Sequence, residues 1–68
     1  MIYNQEFKES SVIASASYDD ETSELTITFL NDRDYTYKDV LFNTYQDLVA
    51  SPSPGKYFAS IKKDLVLK

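Results

Sequence analysis

The chain has 68 residues, neither cysteine nor histidine, and eleven acidic against seven basic residues, for a net charge of −4. This excludes a disulfide scaffold and disfavours a zinc site, and the field of an acidic molecule opposes duplex nucleic acid held by phosphate neutralisation alone. A hydrophobic fraction of 43% with six Tyr and four Phe excludes a disordered chain. A domain this small buries only roughly 60% of its unfolded surface, so a homo-oligomer is expected.

The N-terminal MIYNQEFKESS lacks the basic and then apolar pattern of a signal peptide. No stretch approaches the roughly 20 apolar residues that cross a bilayer, so a cytoplasmic protein without membrane contact is expected. Val12, Ala14, Ala16 and Tyr18 alternate with Ser15 and Ser17, which predicts a strand over 11–18. DDETS makes a turn. Leu25, Ile27 and Phe29 alternate with Thr26 and Thr28, predicting a strand over 24–30, and Asn31-Asp32, two residues that tolerate positive φ, turn tightly into a third strand over 34–38.

The period then changes. Leu41, Tyr45 and Leu48, with Phe42 and Val49, predict an amphipathic helix over 41–50. Ser53 and Pro54 have the character of an N-cap and first helical residue, opening a second helix over 54–65 with Tyr57 or Phe58, Ile61 and Leu65 inward. The expected fold is α+β: three antiparallel strands, then two short helices on one face of the sheet, in the order β-β-β-α-α, forming one domain over 1–68.

The succession SSVIASASYD, LTITF, DYTYKDV and SPSPGKYFASIKK, running from about Ser10 to Lys62, resembles the KTSC family, small domains found alone or at the C-terminus of some lysyl-tRNA synthetases. The resemblance rests on Tyr18, on the pair Tyr35 and Tyr37, and on Ser53, Gly55, Tyr57, Phe58, Ile61 and Lys62. It implies no established activity; a role in RNA binding is only suggested for the family. Two positions depart from the family pattern: Asp32 stands where the hairpin usually carries glycine, and Leu41 where proline usually follows the valine.

Two places carry binding chemistry. Tyr35 and Tyr37, two apart on a strand, share a face and either stack on bases or line the core under the helices. Unpaired N–H groups of Gly55, Lys56 and Tyr57 at a helix start, with Lys56 alongside, form a seat for phosphate or carboxylate; the plainer reading is a capped helix with a solvated basic face. Lys62 lies about a turn and a half further on. Charge favours the seat, since residues 1–55 hold three bases and ten acids and residues 56–68 four bases and one acid.

Asp19, Asp20 and Glu21 read as a solvated turn, without the spacing of a calcium loop. No Ser-His arrangement is possible, and Ser60 and Lys63, spaced as Ser-x-x-Lys, sit near the chain end, where the match reads as chance. Neither an enzyme nor a cofactor nor a metal site is expected. The expected function is a non-catalytic module binding a small nucleotide or short RNA through Tyr35, Tyr37, Ser53, Gly55, Lys56, Tyr57 and Lys62, a role that would suit a phage protein acting as a sponge for a nucleotide signal. The alternative is a protein-interaction module or inhibitor that uses its acidic surface and the apolar ends around Met1–Phe7 and Leu65–Leu67, which lie outside the matching core and are free to add a strand or a subunit interface.

Overall fold

Residues Met1–Lys68 are described by a computed structural model. The chain runs through strands β1 (Ile2–Glu6), β2 (Ile13–Asp19), β3 (Glu24–Phe29) and β4 (Asp34–Lys38), then helices α1 (Phe42–Ala50) and α2 (Pro54–Ile61). A 3₁₀ turn over Lys62–Asp64 leads into a two-residue strand, β5 (Val66–Leu67). The strands pair antiparallel in chain order, an open meander with β1 and β5 at its edges.

The α+β class and the pair of helices agree with the sequence reading, although α2 ends at Ile61 rather than at 65; the strand count does not. The sheet has five strands rather than three, because both chain ends add one. β1 pairs with β2 from Ile2↔Asp19 to Glu6↔Ser15, although IYNQE buries no residue fully and so carries little alternation. β5 is held by pairing with β4, by the Lys68 N–H donating to the Thr36 carbonyl and by a Lys68–Glu24 ion pair at 2.9 Å.

The phase of β2 is a second correction. Its register with β3 shifts between Ile13 and Ser15, and a bulge of this kind exchanges the faces of the residues on either side of it. Ile13, Ala16 and Tyr18 are therefore buried together, whereas Val12 is 48% exposed. The Asn31-Asp32 hairpin forms as expected: Asp32 adopts φ 66° and the Asn31 carboxamide oxygen accepts from the Arg33 N–H at 3.2 Å.

The helices cover one face. Tyr45 and Leu48 of α1 and Phe58 of α2 join Ile13, Ala16, Tyr18, Leu25, Ile27, Tyr37 and Val40 in one core. Tyr57, Ile61 and Leu65 pack against its flank. The buried Tyr18 hydroxyl donates to the Val40 carbonyl, and no buried side-chain polar atom lacks a partner. Leu41, where the resemblance predicts proline, precedes α1 and is 74% exposed.

Candidate anion-binding cleft

The meander brings three connections to one end of the sheet: the β1–β2 loop (7–12), the β3–β4 turn (30–33) and, above them, the α1–α2 loop (51–53) with the start of α2. Between the first and last of these lies a cleft of about 630 Å³. Lys8, Ser10 and Ser11 form one wall; Ser51, Ser53, Gly55 and Lys56 form the other.

Ser53 is the N-cap of α2 and Pro54 its first residue, as expected, but the cap is made differently. The Ser53 hydroxyl accepts no helical N–H; instead the Ser53 N–H donates to Ser51 Oγ at 3.1 Å and the Ser53 carbonyl accepts from the Tyr57 N–H at 3.0 Å. The Tyr57 amide is therefore engaged, contrary to the sequence reading, while those of Gly55 and Lys56 find no protein acceptor. First-turn amides point back along the helix axis, at its positive end, and this is the wall from which they face the cleft.

The hydroxyls have a matching bias. Ser10 Oγ accepts from the N–H groups of Val12 (3.2 Å) and Ile13 (3.0 Å), and Ser51 Oγ accepts from Ser53. Each keeps its own proton free to donate. Lys8 and Lys56 are exposed beside them, with the Glu9 carboxylate as the one opposing charge on the lining. Five of the chain's eleven acids, Asp19, Asp20, Glu21, Glu24 and Asp39, lie at the other end of the sheet, where the β2–β3 turn and the end of β4 meet. There Asp20 and Glu24 are engaged with the Met1 amine (2.8 Å) and with Lys68.

The cleft unites three of the seven residues singled out from sequence, Ser53, Gly55 and Lys56. Tyr37 belongs to the core, 8% exposed, its ring 5.7 Å from that of Phe58; burial first, then the proximity of Tyr35, pushes its hydroxyl above the ordinary tyrosine range. Tyr35 lies on the same face at the margin of the core, 39% exposed. Tyr57 packs on the core flank, its hydroxyl pushed up by burial and then by the Asp47 carboxylate, and Lys62 is exposed in the 3₁₀ turn; neither lines the cleft. Lys8, Ser10 and Ser11, which do, are missed by sequence reading because only the fold brings them across more than forty residues to α2. The signal available for them was the lone glycine. An added Cβ at Gly55 would meet Val12 Cβ at 3.2 Å, so the glycine marks a close approach of α2 to the β1–β2 segment.

The comparisons agree with this architecture. A crystal structure of a KTSC domain protein from Yersinia pestis is similar over 100% of this chain and 96% of its own, with TM-score 0.88 and 28% sequence identity. No curated protein matches the chain. The KTSC domain model matches residues 9–64, which cover every element but the two edge strands, and the chain belongs to the KTSC domain family.

Proposed function

We propose that the domain is a non-catalytic, cytoplasmic module that binds a nucleotide-type or short RNA anion in the cleft at the start of α2. The observation that carries this reading is the convergence of donors. Two unbonded amides, two lysines and two serine hydroxyls already biased to donate share one concavity in a protein whose net charge is negative. A single phosphate needs one local seat, whereas a duplex would present many phosphates to few cations, so a small ligand suits this surface and a sponge for a nucleotide signal is the corresponding role. Glu9 on the rim disfavours polyanions further.

Lys56→Ala tests the seat. Calorimetric titration with ribose 5-phosphate should show binding weakened by about 1–3 kcal/mol relative to the unsubstituted chain, with the thermal midpoint unchanged, because Lys56 is exposed and makes no ion pair within the fold. Equal affinity of the two proteins would remove the cleft from consideration.

A second reading is favoured by the edges of the sheet. β1 and β5 leave main-chain groups unpaired and expose Ile2, Val66 and Leu67, so a protein partner or a second copy can extend the sheet. Mass spectrometry of the purified protein, native and then denatured, discriminates between them: a released small nucleotide supports the module, and a protein companion or bare oligomer supports the edges.

A further inference from the structure

Beside the cleft, at the same end of the sheet, a second groove of about 420 Å³ is lined by Leu30, Asn31, Arg33 and Tyr35 and shares Ser11 and Val12 with it. We propose that this groove is the subsite for a nucleobase, so that the ligand is a mononucleotide whose phosphate sits at Gly55 and Lys56 and whose base lies over Tyr35; the proposal rests on the anion seat described above.

Four observations independent of the helix start converge here. Val12 (48% exposed), Leu30 (54%) and Tyr35 form an apolar patch on a small, charged surface, and such a patch marks a contact site. The Leu30 N–H donates to the Val12 carbonyl at 3.2 Å, which ties β3's end to β2's start and fixes the floor of the patch. The Tyr35 ring packs against Phe29, 5.6 Å away at 77°, and Phe29 in turn against Phe58 of the core at 5.8 Å, so Tyr35 presents an aromatic surface anchored to the core. Arg33, the chain's one arginine, is exposed and takes part in no ion pair; its planar guanidinium stacks on or hydrogen-bonds a heteroaromatic ring, neither of which an aliphatic peptide side chain would use. Asp34 alternates to the opposite face of the sheet, opposite Thr28, and does not contest the groove. The shared wall of Ser11 and Val12 places anion seat and aromatic platform within one small molecule's reach.

The test is calorimetric titration of the full chain with ribose 5-phosphate and with the four ribonucleoside 5′-monophosphates. At least one nucleotide should bind roughly tenfold more tightly than ribose 5-phosphate, the scale of one base stacked on an aromatic ring. Tyr35→Ala should bring that nucleotide down to the level of ribose 5-phosphate and leave ribose 5-phosphate itself unchanged, whereas Tyr35→Phe should retain the preference. Arg33→Gln, at an exposed position where folding is not at stake, should lower the preference several-fold. If ribose 5-phosphate binds and no nucleotide binds better, or if the preference survives both Tyr35→Ala and Arg33→Gln, the base subsite is wrong and the anion seat stands. If the unsubstituted chain binds neither class of compound, both are wrong.

Discussion

Gly55 and Asp32 show how single residues set the functional end of the sheet. A methyl group at position 55 already brings Cβ to 3.2 Å from Val12 Cβ and 3.4 Å from its Cγ2, and a branched side chain adds two more carbons to that contact. Gly55→Val should therefore destabilise the fold by about 1–3 kcal/mol through overpacking, measured by urea denaturation, before any ligand is considered. Position 55 needs glycine because the β1–β2 loop lies directly behind the start of the helix. Asp32 holds φ 66°, a conformation that costs a residue with a Cβ more than it costs glycine. Asp32→Gly, which restores the residue the resemblance predicts, should raise stability by about 0.5–1 kcal/mol in the same assay.

At the scale of elements, β3 and β4 were legible because alternation is strict there and both keep one face on the core, with Leu25↔Tyr37 and Ile27↔Tyr35 in register. β2 was legible as a strand but not in phase, since a bulge leaves no mark in an apolar stretch such as VIASA. β1 carries little alternation to read, because one half-buried tyrosine makes its contact with the helices: Tyr3 lies 5.0 Å from the ring of Phe42 and 6.2 Å from that of Tyr45. Tyr3→Ala should accordingly cost about 1–3 kcal/mol, loosening β1 and raising hydrogen exchange over Ile2–Glu6. The packed tyrosines also give a pH dependence. Burial raises the hydroxyls of Tyr37 and Tyr45 above their ordinary value of 10.0, so the unfolded chain ionises first. The stability they contribute is complete below pH 10 and is lost as pH rises through the folded values. Urea midpoints measured from pH 8 to pH 11 should fall at the alkaline end, and less steeply in Tyr45→Phe.

Across the whole molecule, local charge and sheet edges offer two different surfaces. Five acids gather at the β2–β3 end, and the opposite end holds Lys8, Arg33 and Lys56 among Glu6, Glu9, Asp32 and Asp34, so the cleft's cations are a local grouping, invisible in the chain order because the meander interleaves the two ends. The sheet's two edges are short, partly apolar and without proline, which suits pairing with a second copy. Light scattering at high concentration should give the mass of a dimer or larger, and a monomer there would count against edge pairing without touching the cleft. The cleft itself is tested most directly by amide chemical-shift mapping of the ¹⁵N-labelled chain during titration with a ribonucleoside 5′-monophosphate. Gly55 and Lys56, whose amides have no acceptor in the fold, should shift first and furthest, with Ser10 and Ser11 following. Shifts confined to Ile2–Glu6 and Val66–Leu67, or none at saturating nucleotide, would contradict an anion site at the start of α2.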